Sequence, residues 1–179
     1  MTLDCKGQLI DLTTPKVMGI LNCTPNSFFD GGKYKNETDI LNQVEKMLTD
    51  EATFIDVGAY YIKPNAALVS ETEEVNRILP IIKAIVKEFP EALLSIDTFR
   101  SKVAQICIEN GAAMINDISA GNFDDKMLQT IAEYKVPYVM MHLRGTPQTM
   151  QSMTNYENVI KDVAQQVAYT AKEENIHAL

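Results

Sequence analysis

The chain has 179 residues and a formal net charge of −8, from 16 Lys plus Arg against 24 Asp plus Glu. With 46% apolar and 22% charged residues it has the composition of a folded globular protein, and its length fits one domain with a sizeable core. The acidic balance, with no Lys/Arg stripe to offset it, argues against a nucleic-acid binder, and no stretch approaches the ~20 apolar residues of a membrane span.

Residues 1–12 carry Asp4, Lys6 and Asp11 among apolar positions, which is not the pattern of a signal peptide. They read as a short β-hairpin turning at Lys6-Gly7. Beyond them, hydrophobic periodicity alternates between two kinds of segment. Five short continuous apolar runs are Val17 to Leu21, Phe54 to Val57, Leu93 to Ile96, Ala112 to Ile115 and Pro137 to Met141. Runs of this kind suit strands buried on both faces, as in a parallel sheet. After the first two come helical stripes through Ile40, Val44 and Leu48, then through Val75, Ile78, Ile82 and Ile85. Three more stripes run through Val103 and Cys107, through Met127 and Ile131, and through Val159, Val163 and Val167. The second helix opens on Ser70-Glu71-Thr72-Glu73, a capping-box pattern, and its Pro80 should kink it or mark its true start. The third should stop at Gly111, and Asn155 is the predicted cap of the fifth. Three cysteines, Cys5, Cys23 and Cys107, are an odd count without metal-ligand spacing, which predicts reduced thiols in a cytoplasm.

Strand then helix, five times over, is a βα repeat of the α/β class. A closed (β/α)₈ barrel runs to ~250 residues and rarely below ~200. Two architectures therefore remain: a barrel truncated to about five βα units with an N-terminal hairpin, or a five-stranded open sheet. Both bind ligands at the C-terminal ends of their strands. The five runs end at or bracket Asn22, Asp56, Asp97, Asn116-Asp117 and His142. One such residue could simply cap the next helix, but five together predict a shared polar site. The segments Thr24 to Gly32 and Tyr60 to Asn65 read either as lids over that site or as turn-rich connections.

The string Gly19-Ile20-Leu21-Asn22-Cys23-Thr24-Pro25-Asn26-Ser27-Phe28-Phe29-Asp30-Gly31-Gly32 closely resembles the first signature of the dihydropteroate synthase family. Ile55-Asp56-Val57-Gly58-Ala59 with Lys63-Pro64-Asn65-Ala66 resembles the second. Ser95-Ile96-Asp97-Thr98, Ile115-Asn116-Asp117-Ile118 and Met141-His142-Leu143-Arg144-Gly145-Thr146-Pro147 follow in the family's order. The resemblance implies a (β/α)₈ barrel, so that residues 1–179 would be a pterin-binding domain incomplete at its C-terminus. It further implies an enzyme that joins 6-hydroxymethyl-7,8-dihydropterin pyrophosphate to p-aminobenzoate in folate synthesis, the step that sulfonamides block. The family's later motifs are an Asp-Pro-Gly strand end, a Ser-Arg-Lys loop and a final Arg/His pair. They do not occur here, and the 179-residue chain alone is expected to be inactive and to self-associate or take a partner along its open sheet edges.

The resemblance assigns roles to residues. A pterin edge offers an amino group and a ring N–H, which suit the acceptor-only carboxylate of Asp97 and the mixed amide of Asn116. Met140 would pack on the ring face, or else is a plain core methionine. Thr24, Pro25, Ser27 and Lys63 are the loop residues expected at the substrates, although Lys63 alone could be a solvated surface charge. Asn22 is the expected Mg²⁺ ligand, helping the pyrophosphate to leave. The reaction is SN1-like, so Asp56 and Asp97 are the expected catalytic carboxylates beside a pterin cation, with Asp30 in the loop. His142 is expected in a structural or secondary pterin-site role rather than as a base. The whole protein is expected to be a homodimer that takes small-molecule substrates.

Two segments depart from the family pattern. Ile62-Lys63-Pro64-Asn65 stands where Thr-Arg-Pro-Gly is usual, replacing a planar guanidinium by a point charge, and Asn26 replaces an Asp. Two rival readings follow: an inactive pterin-binding paralogue, and a methyltetrahydrofolate-binding methyltransferase domain. The first strand of the latter should lack the Thr-Pro-x-Ser-Phe string.

Overall fold

A computed structural model describes residues 1–23, 37–60 and 69–173. The chain opens on the expected antiparallel hairpin of β1 (Thr2–Cys5) and β2 (Gln8–Asp11). Lys6 and Gly7 both have positive φ, 57° and 79°. Two consecutive left-handed residues make the tight turn whose twist matches that of its strands, and glycine takes the second position without steric cost.

Five parallel strands follow, in the spatial order in which the chain makes them: β3 (Met18–Asn22), β4 (Phe54–Gly58), β5 (Leu93–Asp97), β6 (Met114–Asp117) and β7 (Tyr138–Met140). Between them run α1 (Glu37–Thr49), α2 (Glu71–Glu88), α3 (Ser101–Glu109) and α4 (Met127–Tyr134), and α5 (Val159–Glu173) comes last. The first four of these strands reach slightly further toward their C-terminal ends than the apolar runs do, whereas β7 stops one residue short of its run. Backbone bonds continue past the polar residues: Cys23 N–H donates to the Gly58 carbonyl at 2.7 Å, and Thr98 N–H to that of Asn116 at 3.0 Å.

One face of this sheet carries Leu21, Val57, Ile96 and Ile115, and α1 to α4 all pack on it. Val44, Ile78, Ile82, Ile85, Val103, Cys107 and Met127 are fully buried there. Each such apolar side chain contributes roughly 1.5–3 kcal/mol by leaving water. On the opposite face, the hairpin residues Leu3, Cys5, Ile10 and Leu12 cover Met18, Phe54, Leu93 and Met114, at and near the N-terminal ends of the strands. Among the described residues, α1 to α4 all pack on one side and the other side is left for ligand beyond the hairpin, which marks a sector of a (β/α)₈ barrel. A doubly wound sheet would carry helices on both faces.

Two local expectations need correction, that Pro80 marks the true start of α2 and that Asn155 caps α5. Pro80 neither starts nor ends α2, which runs unbroken from Glu71 to Glu88. It removes the bond to the Asn76 carbonyl, but both residues are exposed, so that oxygen is not buried unpaired, while Ile78 and Ile82 hold the two halves to the core. The cap of α5 is Asn158 rather than Asn155: Asn158 Oδ1 accepts from Lys161 N–H at 3.0 Å, whereas the Asn155 carbonyl accepts from Arg144. Ser70 does cap α2 by accepting from Glu73 N–H at 3.2 Å, while the Glu73 carboxylate turns to Arg77.

Candidate active site

Register partners in a parallel sheet point to the same face. Asn22, Gly58, Asp97, Asn116 and Val139 therefore form one row across the C-terminal ends of β3 to β7, on the face without helices. One layer deeper lie Ile20, Asp56, Ser95 and Met114. Asn22, Asp97 and Asn116 thus share one surface, and Asp56 forms part of its floor.

Gly58 is what lets the row converge. A Cβ added there would lie 3.2 Å from Asp97 Oδ2 and 3.6 Å from Asn22 Oδ1. Both oxygens lie over bare backbone. Asn116 Nδ2 donates to Asp56 Oδ2 at 3.0 Å. These residues stand on β6 and β4, separated by β5, so their backbones are about two strand spacings, ~10 Å, apart. Two such short side chains bridge that gap only because the sheet curves and the face is concave.

Asp97 Oδ1 accepts from the Tyr60 phenol at 2.8 Å. Burial pushes the Asp97 carboxyl up to about 7. The charges of Asp56, Glu74 and Asp117 add to this, and the Tyr60 bond pulls against it. The Tyr60 phenol is itself pushed up, first by burial and then by the charge of Asp97, and so it stays a donor. Asp56 is 6% exposed. Among the described residues, its Oδ1 and the neighbouring Ser95 Oγ are buried without a hydrogen-bond partner. The floor of the bowl therefore holds polar atoms that sheet and core leave open.

Other expected residues fall elsewhere. Asp117, next to Asn116, points to the helix side. There it accepts from Ser119 N–H, the Ser119 hydroxyl, Gly121 N–H and the Tyr138 phenol, which pins the loop after β6. Met140 pairs in register with Asp117, so it too lies on the helix side, not on the ligand face. The expectation that Met140 stacks on the ligand is thereby corrected. The alternation of strand faces gives that face to Val139 and to the next residue of the same parity, Met141, which is exposed. His142 Nε2 lies 2.9 Å from the Tyr156 hydroxyl, which ties it to the segment before α5. Thr24, Pro25, Ser27, Asp30 and Lys63 lie outside the described residues, as do the departures at Asn26, Ile62 and Asn65. Cys5, Cys23 and Cys107 are free and buried, and burial pushes the Cys23 thiol up to about 12, unsuited to nucleophilic work.

Sequence reasoning passed over Tyr60, grouping it with the loop that follows. A signal existed, since a tyrosine two residues beyond a buried strand must find a partner for its hydroxyl. The supports behind the rim were also unseen. Buried Glu74 accepts from the Thr98 hydroxyl at 2.7 Å and pairs with Arg100, which also donates to the Val69 carbonyl.

A concave parallel sheet, helices outside and a row of polar tips at its C-terminal ends define a ligand-binding sector of a (β/α) barrel. The chain belongs to the pterin-binding enzymes: the family described as "Pterin binding enzyme" matches residues 18–177. It is 42% identical over 149 residues to the dihydropteroate synthase of Synechocystis, covering 83% of this chain and 51% of that protein. To the mitochondrial folate synthesis bifunctional protein of Arabidopsis thaliana it is 46% identical over 155 residues, 84% of this chain and 28% of that one. Among solved structures it resembles the Yersinia pestis dihydropteroate synthase in complex with a sulfonamide drug. The TM-score there is 0.89 at 36% identity, over 97% of this chain and 62% of that chain. A Xanthomonas albilineans dihydropteroate synthase with 4-aminobenzoic acid gives a TM-score of 0.82 at 30% identity, over 98% of this chain and 61% of that one. The chain thus spans only part of each of these relatives.

Proposed function

We propose that residues 1–179 supply the pterin-binding part of a dihydropteroate synthase. That enzyme joins 6-hydroxymethyl-7,8-dihydropterin pyrophosphate to p-aminobenzoate, giving 7,8-dihydropteroate and pyrophosphate. The observation that carries the reading is the convergence of Asn22, Asp97 and Asn116 on one row of a concave face. Asp97 Oδ2 and the amide of Asn116 offer hydrogen-bonding groups to a flat ring edge rich in N–H donors. As the C–O bond to pyrophosphate breaks, positive charge grows on the pterin methylene carbon. The carboxylates of Asp97 and Asp56 provide fixed negative charge for it within a partly dry bowl. The aromatic amine then forms the new C–N bond and gives up a proton. The aminobenzoate and sulfonamide complexes of the two similar structures support this second substrate and its competitor.

Among the described residues no group of three or more His, Cys, Asp or Glu could hold a metal ion. The exposed side-chain oxygen of Asn22 over Gly58 still fits Mg²⁺, which takes one or two protein oxygens and completes its shell with phosphate and water. When bound, the metal would neutralise charge on the departing pyrophosphate. Thr24, Pro25, Ser27, Lys63 and His142 are carried over on the family resemblance, as is a homodimeric whole protein. The buried free thiols support a reducing compartment such as the cytoplasm.

Titration of this chain with 6-hydroxymethyl-7,8-dihydropterin by calorimetry tests the reading. Saturable one-to-one binding is expected. No heat at millimolar ligand would sink it.

A further inference from the structure

We propose that Tyr60 is a positioning residue, whose phenol aims the Asp97 carboxylate at the ligand. The proposal rests on the pterin-site reading above. Tyr60 stands just beyond β4, and its hydroxyl donates to Asp97 Oδ1 at the end of β5, at 2.8 Å. A carboxylate with one oxygen held this way cannot rotate freely, so Oδ2 stays over Gly58 on the ligand face. Tyr60 thereby decides that Asp97 offers one free oxygen, in one direction.

The phenol is itself held by packing. Tyr60 is 7% exposed, its ring meets Phe99 edge-on at 5.1 Å, and Phe99 meets Phe123 edge-on at 5.5 Å. The Arg100 guanidinium sits 4.7 Å over the Phe99 ring and is pinned in turn by buried Glu74 of α2. Side chains from α2 and from the segments after β5 and β6 therefore fix where the hydroxyl stands before any ligand arrives. Preorganisation of this kind lowers the ordering cost at the moment of binding.

Tyr60→Phe separates the two roles, because it keeps the ring and its edge-on contacts and removes only the donor. The expected result is weaker binding of 6-hydroxymethyl-7,8-dihydropterin, by about fivefold or more, the loss of one hydrogen bond to a charged group. Cooperative thermal unfolding of the ligand-free variant should be retained. A merely structural Tyr60 would be rescued by phenylalanine. Binding within fivefold of wild type therefore overturns the proposal, and so does a Phe variant that no longer unfolds cooperatively. A wild-type chain that binds no pterin is a different result: it overturns the reading of the site, and the assignment of Tyr60 falls with it.

Discussion

Asn116 on β6 reaches across β5 to donate its side-chain N–H to Asp56 on β4, at 3.0 Å. A carboxylate only accepts, so this bond decides which way the amide faces: Nδ2 toward Asp56, Oδ1 away from it. With Asp97 ionised, its oxygens and Asn116 Oδ1 are both acceptors. The bowl is therefore built for a ligand edge made of N–H donors, and an edge of acceptors would meet lone pairs.

Asp97 carries the strongest consequence. Asp97→Ala should abolish measurable pterin binding, because the ring donors would then be buried unpaired at a cost of roughly 1–3 kcal/mol or more. Calorimetric titration of the variant checks this, and an unchanged affinity would count against the whole site assignment.

The raised Asp97 carboxyl, at about 7, predicts opposite pH trends for stability and binding. The folded chain binds this proton more tightly than the unfolded chain does, whose aspartate titrates near ~4. The contribution of Asp97 to stability therefore falls as pH rises from about 4 to about 7. Pterin affinity should rise over the upper part of the same range, as the carboxylate becomes a pure acceptor. Denaturant unfolding of the ligand-free chain at pH 5 and pH 8 measures the first trend. Asp97→Asn should flatten it, and an equal slope in that variant would refute the assignment.

Asp56→Ala should act at a distance from the ligand. It leaves the Asn116 amide without its partner and frees it to turn, costing about 1–3 kcal/mol of stability. Pterin affinity should fall with it, although Asp56 lies a layer below Asn116. Urea unfolding paired with pterin titration tests both effects, and the idea fails if both stay at wild-type values.

Gly58→Ala tests the convergence of Asn22 and Asp97. The added methyl would stand 3.2 Å from Asp97 Oδ2 and 3.6 Å from Asn22 Oδ1, tight enough to push the carboxylate aside. The expected outcome is a cooperatively folded chain with reduced pterin affinity. Wild-type affinity in this variant would show that Asp97 Oδ2 does not contact the ligand from this position.

The five strands, the Lys6-Gly7 turn and the Ser70 cap were all legible in the residues, because each follows from local chemistry. An apolar run, a pair of left-handed positions and a hydroxyl before a helix need no distant partner to be read. The loop motifs carried the family resemblance in the same local way. Sequence spacing also listed the polar strand ends, but it could not say which of them face one another. Asn116 and Asp117 look equivalent as neighbours, yet one faces the bowl and the other pins a loop on the helix side. Met140 failed as a ligand contact for the same reason, since strand phase sends adjacent side chains to opposite faces.

The linear sequence by itself determined an acidic α/β chain of five βα units with polar residues at its strand ends. Only the tertiary structure decided that Asp56 holds Asn116, that Tyr60 holds Asp97, and that Gly58 leaves room for Asp97 and Asn22 above it. The reason is that register and sheet curvature are set by contacts between residues dozens of positions apart, and no local window of the chain contains them.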